Sequence, residues 1–276
     1  SHEPGSTFKL MGMVVALEDK VIDTGYMVDT QGGEISYRGR KVRDSNKGGY
    51  GTISASRAFE VSSNVGIVKI IDKYYRDDPQ KFVDGLKKLH VGEKIGLPIK
   101  GEGEPIVPKP SDKSWNALSL PWMAYGYGVS LTPLQTLTFY NAIANNGEMV
   151  RPKFVKEIRT QTNSVSTFSK EVIDPKICSQ ETIDKVKRMM EDVVIRGTAT
   201  NIYDENFSMA GKTGTCQTDY WKGEGVKYIA TFVGYFPVEN PMYSCIVIIH
   251  KPNKSIGYYG SAVSAPVFKK IAHKIY

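Results

Sequence analysis

The sequence predicts an α+β protein in which an antiparallel sheet packs with helices beside a mainly helical lobe. The sheet is indicated by a change of character late in the chain, where three β-rich segments are bounded by turn residues, at 207–215, 227–237 and 242–252. Consecutive strands joined by short connections pair antiparallel. The helices are indicated by apolar residues at helical spacing, both before these strands and in a closing segment, 264–275. Helices that flank an antiparallel sheet in this way are typical of α+β folds.

A first helix is predicted at 6–18, where the residues are apolar almost all round, which indicates a buried helix. Residues 24–50 are polar and rich in Gly, Asp and Arg, and we expect a long surface excursion there. Gly and Pro punctuate 92–110, which is predicted to be loop. The other helices are predicted between turn signals, at 52–75 with a Ser-Ser-Asn break, 79–90, 132–147 with Pro near its start, and 181–195.

Composition excludes several classes of function. The chain has 276 residues, 41% hydrophobic and 24% charged, which fits one soluble domain or one domain with two lobes. The net charge of +7 comes from scattered residues without an arginine-rich run, so a solvated basic surface is favoured over a nucleic-acid partner. The three cysteines and four histidines have no ligand spacing, and no metal, cofactor or disulfide framework is predicted. The sequence contains no 18-residue apolar stretch.

A serine and a lysine stand three residues apart at the start of the first predicted helix. Ser6 and Lys9 would share one helix face, with Ser6 at the N-terminus, where free N–H groups favour a developing anion. A serine hydroxyl is a weak nucleophile that needs a base, and a neutral lysine amine can serve. Lowering a lysine pKa to about 7–8 costs roughly 3–5 kcal/mol, within reach of burial and a second cation. The alternative is a lysine whose amine extends to the surface.

Two further short motifs follow in the chain. Ser-x-Asn occurs at Ser62–Asn64, in the break between two predicted helices, and again at 114–116 in a loop, where we interpret it as chance. Lys212, Thr213 and Gly214 form a single KTG motif on a predicted strand, followed by Thr215. A glycine in mid-strand indicates either a bulge or room for a ligand backbone.

The ordered set SxxK, SxN and KTG is far more specific than its parts and occurs in penicillin-binding proteins and class A β-lactamases. The chain resembles the transpeptidase domain of class B penicillin-binding proteins, and its EPGSTFK context resembles the septal, division-type branch more than the elongation branch. Matching segments follow the family's order along the chain: EPGSTFK, SSNVG, YGYGVSLTPLQ, GTAT, GKTGT, FVGYFP and YYGSAVSAPVFKKIA.

The resemblance implies three catalytic roles. Ser6 would attack the carbonyl between the two D-alanines of a peptidoglycan stem peptide. Lys9 would take the serine proton, and Ser62 would pass a proton to the leaving D-alanine nitrogen. The backbone N–H groups of Ser6 and Thr215 would form the oxyanion hole.

The resemblance also implies a set of substrate-binding residues. Asn64 would bind a substrate amide and hold Lys9, and Lys212 would supply positive charge that helps keep Lys9 neutral. Thr213 and Thr215 would bind the terminal carboxylate of the donor peptide or of a β-lactam. Gly214 would leave room for the donor backbone, which would add as a strand to this edge.

The family further implies a place in the cell. Residues 1–276 would be a penicillin-binding transpeptidase domain that lacks its N-terminal part, its pedestal domain and its membrane anchor. The expected partners are D-Ala-D-Ala stem peptides, β-lactam antibiotics, a membrane glycosyltransferase and other cell-division proteins. The expected location is the outer face of the bacterial cytoplasmic membrane, through an anchor outside this chain.

Three alternatives stay open at this point. A D,D-carboxypeptidase or a serine β-lactamase shares the acylation step and differs in what resolves the acyl-enzyme. A non-catalytic penicillin-sensing domain has the same fold. Two local points also stay open: Cys216 is expected to fill space behind its strand, and 218–228 is either a plain hairpin loop or a cleft wall through Tyr220 or Trp221.

Overall fold

Helices and antiparallel strands together form the computed structural model, which describes residues 1–218 and 226–276. The helices are α1 (Lys9–Glu18), α2 (Ala55–Glu60), α3 (Asn64–Tyr75), α4 (Pro79–Lys88), α5 (Ser119–Ala124), α6 (Pro133–Ala144), α7 (Gln180–Ile195) and α8 (Gly260–Ile275). The strands are β1 (Met27–Asp29), β2 (Glu34–Tyr37), β3 (Arg40–Arg43), β4 (Thr52–Ser54), β5 (Met149–Val150), β6 (Glu157–Arg159), β7 (Ser164–Thr167), β8 (Val172–Asp174), β9 (Ala210–Thr218), β10 (Lys227–Phe236) and β11 (Tyr243–His250). The α+β prediction is confirmed, whereas Tyr220 and Trp221 lie outside the described residues.

Helix α1 passes through the core, as its apolar sequence predicts. Every residue from Lys9 to Leu17 is buried, and each large apolar side chain there stabilises the fold by about 1.5–3 kcal/mol relative to exposure. The start differs from the prediction of one continuous helix over 6–18. Gly5–Phe8 forms a 3₁₀ turn, and the α-helix begins only at Lys9. Gly5 has a φ of +56°, a conformation that glycine adopts readily, and this turns the chain into the 3₁₀ segment.

The predicted break in 52–75 lies between α2 and α3. Ser54 caps α2 by accepting a hydrogen bond from the Arg57 N–H, and Ser63 caps α3 by accepting one from the Gly66 N–H. Between the two helices Ser62 has a φ of +57°, in the left-handed region that a non-glycine residue enters at a cost. The break therefore holds its serines and asparagine in a fixed turn.

Within the described residues the main sheet has the antiparallel order β11–β10–β9, with β10 at its centre. Strand β10 is buried along most of its length because helix α8 covers one face of the sheet, where the Phe232 and Phe268 rings lie 4.7 Å apart. Helix α8 begins at Gly260, four residues before the predicted start of 264. Gly260 lets the helix approach the strands closely, since a Cβ there would collide with the Thr231 carbonyl oxygen.

Smaller strand pairs lie outside the main sheet. The predicted surface excursion at 24–50 contains the β2–β3 hairpin and β1, which pairs with β4, and most of its side chains are exposed. The pairs β5–β8 and β6–β7 were not predicted, because strands of two to four residues are too short to show a period. None of the helices in the described part of the chain has the length and apolar character needed to cross a bilayer.

Candidate active site

Residues from all three motifs line one cleft with a volume of about 540 Å³. The 3₁₀ turn contributes Ser6, the α2–α3 break contributes Ser62 and Asn64, and β9 contributes Thr213 and Thr215. The two lysines of the motifs are fully buried, Lys9 at the start of α1 and Lys212 on β9. The fold thus brings together segments that are up to 209 positions apart in the sequence.

The amine of Lys9 is held by the Ser-x-Asn turn. Its Nζ donates to the Ser62 carbonyl oxygen at 2.7 Å and to the Asn64 Oδ1 at 2.6 Å, and it lies 3.1 Å from the Ser62 Oγ. The side chain is 0% exposed, so the alternative of a surface-reaching lysine is wrong. Burial lowers the pKa of Lys9 from 10.5 to about 7, against the opposing charge of Asp44. The neutral form of the amine is therefore within reach near neutral pH.

Asn64 connects this amine to the excursion that precedes it. Its Nδ2 donates to the Arg43 carbonyl oxygen at 2.7 Å, while its Oδ1 accepts from Lys9. These two bonds fix which end of the amide faces the lysine. The side chain thus has one defined orientation in the cleft.

Lys212 lies on β9 next to the same cleft. Its Nζ donates to the Thr213 carbonyl oxygen at 3.2 Å and stands 5.5 Å from the centre of the Phe59 ring. Burial first, and then the charge of Lys9, lower the pKa of Lys212 well below its usual range. The positive charge predicted for Lys212 would therefore depend on a nearby anion, because burial and repulsion by Lys9 both disfavour its ammonium form.

Close backbone packing places the 3₁₀ turn against strand β9. A Cβ at Gly5 would lie 3.2 Å from the Cys216 Cβ and 3.5 Å from the Thr215 carbonyl oxygen. Gly5, the residue before Ser6, therefore packs directly against the KTG strand. On the strand side, a Cβ at Gly214 would lie 2.9 Å from the Thr7 Cγ2. The glycine of KTG therefore makes room for the serine turn.

The hydroxyls of β9 each have a partner that orients them. Thr213 Oγ1 lies 2.7 Å from Thr198 Oγ1, and Thr215 Oγ1 accepts from the Gly260 N–H at 3.0 Å. Since Thr215 already accepts this bond, its hydroxyl hydrogen remains available to a ligand acceptor. Thr198 belongs to the GTAT segment, which the sequence marked as family-like without assigning it to the site.

An ion pair fixes the two sides of the cleft relative to each other. Glu60, at the end of α2, is 0% exposed and accepts from Arg57 at 3.0 Å and from Arg196 at 2.9 Å. The Glu60 carbonyl oxygen also accepts from the Thr198 N–H at 3.1 Å. The helix that leads into Ser62 is thereby joined to the loop that faces Thr213.

Several further cleft residues lie outside the SxxK, SxN and KTG motifs, although Tyr127, Tyr258, Tyr259 and Ser261 fall in segments that match the family. They come from the excursion, from β9 and β10, from the α5–α6 and β11–α8 connections and from the start of α8: Arg43, Asp44, Ser45, Tyr127, Gln217, Tyr228, Tyr258, Tyr259 and Ser261. In contrast, the second Ser-x-Asn at 114–116 contributes nothing to the cleft. The Asn116 amide donates to the Ser114 carbonyl within its own turn, in agreement with a chance occurrence.

Two further predictions concern groups near the site. Cys216 is buried on β9, and burial raises the pKa of its thiol to about 12, in agreement with the expected space-filling role. Over residues 1–218 and 226–276, no cluster of three His, Cys, Asp or Glu side chains has an arrangement that could hold a metal ion.

The fold and the three motifs in one cleft define the class of serine acyl-transfer proteins that carry SxxK, SxN and KTG. A family model described as "Penicillin binding protein transpeptidase domain" matches residues 1–273. The chain belongs to this family, and the predicted resemblance is confirmed.

Individual relatives agree over nearly the whole chain. Stage V sporulation protein D of Bacillus subtilis is 28% identical and peptidoglycan D,D-transpeptidase FtsI of Buchnera aphidicola is 30% identical, over 98% and 99% of this chain. These matches cover 41% and 45% of those proteins, so the chain spans less than half of their length. Penicillin-binding protein 3 from Mycobacterium tuberculosis, solved in complex with aztreonam, is 28% identical and superimposes with a TM-score of 0.83, over 99% of this chain and 62% of that one.

Proposed function

We propose that residues 1–276 are a penicillin-binding transpeptidase domain that cross-links peptidoglycan stem peptides through an acyl-enzyme at Ser6. The observation that carries the proposal is the placement of Lys9: its fully buried amine is bonded to Ser62 and Asn64 at the cleft that Ser6 lines, and this burial lowers its pKa to about 7. Such an amine is a competent base at neutral pH. A relative named a D,D-transpeptidase and a similar structure with bound aztreonam support the same activity.

In the acylation step, the Ser6 Oγ attacks the carbonyl carbon of the bond between the two D-alanines, and neutral Lys9 accepts the hydroxyl proton. Breaking the amide bond releases D-alanine, whose nitrogen takes a proton from Ser62, and Ser62 recovers one from Lys9, 3.1 Å away. The two N–H groups of the neutral Lys9 amine donate to the Ser62 carbonyl oxygen and to Asn64 Oδ1. The nitrogen lone pair of Lys9 is therefore left to accept the transferred proton.

Strand β9 would hold the donor peptide. It stands at the edge of the described sheet, so an extended donor can pair with it. The terminal carboxylate would accept from the Thr213 and Thr215 hydroxyls, and its charge would stabilise the ammonium form of Lys212. The N–H groups of Ser6 and Thr215 would bind the oxyanion, because the 3₁₀ turn packs against this strand. Asn64 would bind a donor amide while it holds Lys9.

In the second step, an amine of a neighbouring stem peptide attacks the ester carbon at Ser6. The new amide bond is the cross-link: the acceptor nitrogen gives one proton to neutral Lys9 by way of Ser62, the ester bond to Ser6 breaks, and the serine oxygen takes that proton from Lys9. A β-lactam would open its ring on Ser6 and stop there, because its ring nitrogen stays tethered and blocks the acceptor. In the whole protein we propose a role in septal wall synthesis at the outer face of the cytoplasmic membrane, together with a membrane glycosyltransferase and other cell-division proteins.

The test uses the protein with a fluorescent penicillin and with a stem pentapeptide plus an acceptor amine. We expect label that is stable for hours in the wild type and is absent from Ser6→Ala. Ser45→Ala is the matched control, because Ser45 lines the same cleft outside the motifs, and it should label normally. The pentapeptide should lose D-alanine and become joined to the acceptor.

Each alternative gives a different result in this experiment. Rapid turnover of the penicillin indicates a β-lactamase, and D-alanine release without transfer to the acceptor indicates a carboxypeptidase. Stable label with no peptide product indicates a penicillin sensor. Wild-type protein that takes no label, or Ser6→Ala that still takes it, would overturn the proposed acyl-enzyme.

A further inference from the structure

Asp44 is the charged side chain that contacts the Ser-x-Asn turn from outside the three motifs. It follows β3, lines the cleft, and no motif includes it. Its Oδ2 accepts from the Ser63 hydroxyl at 2.8 Å, and its Oδ1 accepts from the Val65 N–H at 2.9 Å. Both oxygens of one carboxylate are thus bonded to the residues on either side of Asn64.

The backbone around Asp44 is itself held in place. The Asp44 N–H donates to the Gly33 carbonyl oxygen at 2.9 Å, and the preceding Arg43 carbonyl accepts from the Asn64 amide at 2.7 Å. Asp44 and Arg43 together therefore bond to Ser63, Asn64 and Val65 in succession. This is the turn whose Ser62 carbonyl and Asn64 side chain hold the Lys9 amine.

We propose that Asp44 is a positioning residue for Lys9: it fixes the turn that holds the amine, and its negative charge favours the ammonium form. This inference rests on the proposed function, in which Lys9 is the base. In the described residues, the charged groups that face the amine are Asp44, after β3, and Lys212, on β9. Arg43 pairs with Glu34 instead, at 2.6 Å.

Burial and the charge of Asp44 act on the pKa of Lys9 in opposite directions. Burial pulls the pKa of Lys9 down, and Asp44 pushes it back up. Without Asp44, the amine would lose its proton at lower pH and would be a weaker base when neutral. Asp44 therefore keeps the pH at which the Lys9 amine loses its proton within the neutral range.

Two substitutions separate the charge from the bonding. Asp44→Asn keeps an oxygen for the Val65 N–H and offers its amide to Ser63, so the turn persists while the charge is lost. Asp44→Ala removes both the charge and the bonds. Asp29→Asn is the matched control, since Asp29 is an exposed carboxylate of the same excursion that accepts a hydrogen bond from the nearby Gln31 N–H.

The experiment measures the rate of acylation by fluorescent penicillin between pH 5 and 9, and, independently, the Lys9 titration by NMR of the ¹³Cε-labelled lysines. The Lys9 signal is assigned by its loss in Lys9→Arg. We expect Asp44→Asn to move both midpoints down by about one pH unit. Asp44→Ala should lower the maximal rate by about tenfold or more, and Asp29→Asn should match the wild type.

A midpoint that stays in place or rises in Asp44→Asn overturns the proposal, because a carboxylate that only caps helix α3 would alter thermal stability and leave the midpoint unchanged. If Asp44→Ala fails to fold, the midpoint measured for Asp44→Asn still tests the proposal. If the wild type is not acylated, the proposed function fails, and the NMR titration still decides whether Asp44 acts on Lys9.

Discussion

Ser62 supplies two of the three oxygens that surround the Lys9 amine, its carbonyl at 2.7 Å and its hydroxyl at 3.1 Å. It does so from a backbone φ of +57°, which costs a non-glycine residue about 1 kcal/mol or more. The strained conformation turns both groups of one residue toward the same amine. Strain that persists at such a point is typical of functional sites.

Substitutions at Ser62 should separate strain from chemistry. Ser62→Ala and Ser62→Gly both remove the hydroxyl and keep the carbonyl, so both should acylate about 100-fold more slowly or worse. Ser62→Gly also relieves the strain, and its free energy of unfolding should exceed that of Ser62→Ala by about 1 kcal/mol. Denaturant unfolding and penicillin-labelling rates check these results. Equal stability of the two variants would mean that the positive φ stores no strain.

The pH dependence of the wild type should follow the protonation of Lys9. Its folded-state pKa of about 7 lies below the usual 10.5, so the neutral base accumulates as the pH rises through 7. The acylation rate by penicillin should therefore increase from pH 6 to pH 8, with its midpoint near pH 7. Stopped-flow acylation over this range is the measurement. A rate that is flat across the range, or that falls, would contradict a lysine base.

The position of Ser6 should depend on a glycine in a distant loop. Gly126 has a φ of +89°, and a Cβ there would lie 2.8 Å from the Gly5 Cα, next to the bond from the Gly5 N–H to the Gly126 carbonyl. We expect Gly126→Ala to lower the free energy of unfolding by about 3 kcal/mol and to slow acylation, because it displaces the serine turn.

Gly128→Ala is the control for that prediction. Gly128 lies in the same loop with a φ of +72°, and no atom would be within 4 Å of its Cβ. Gly128→Ala should lower the free energy of unfolding only by the backbone cost of about 1 kcal/mol, and its acylation rate should be unchanged. Thermal unfolding and labelling rates compare the two variants, and equal losses would exclude a special role for the contact with Gly5.

The sequence was sufficient to predict the motifs and the main secondary-structure elements, because these depend on local patterns. Ser6, Lys9, Ser62 and Asn64 could be found from spacing, and the strands of the main sheet from runs of β-rich residues between turns. The break before Asn64 was also predictable, since two serines precede it, and Ser63 caps helix α3. The ordering of the motifs then led to the family.

What could not be predicted depends on contacts between distant segments. Asp44 and Thr198 enter the site through bonds to Ser63 and Thr213, which are 19 and 15 positions away and follow no period. The 3₁₀ turn at Ser6 was mistaken for α-helix because the packing of Gly5 against β9 decides its geometry. The conditional charge of Lys212 likewise depends on burial beside Lys9, which only the folded chain defines.

The hydroxyl of Thr215 should contribute to acylation as a donor. Because its oxygen accepts from the Gly260 N–H at 3.0 Å, its hydrogen is directed to a ligand carboxylate or remains free in the cleft. A hydrogen bond to a charged group contributes about 1.5–3 kcal/mol, so Thr215→Val should lower the second-order acylation rate constant by roughly 10- to 100-fold. Thr215→Ser retains the hydroxyl and should stay within a few-fold of wild type. Penicillin-labelling kinetics, with thermal unfolding to verify the fold, distinguish these variants. If Thr215→Ser is as slow as Thr215→Val, the methyl group matters and the hydroxyl does not, and carboxylate binding by Thr215 would have to be abandoned.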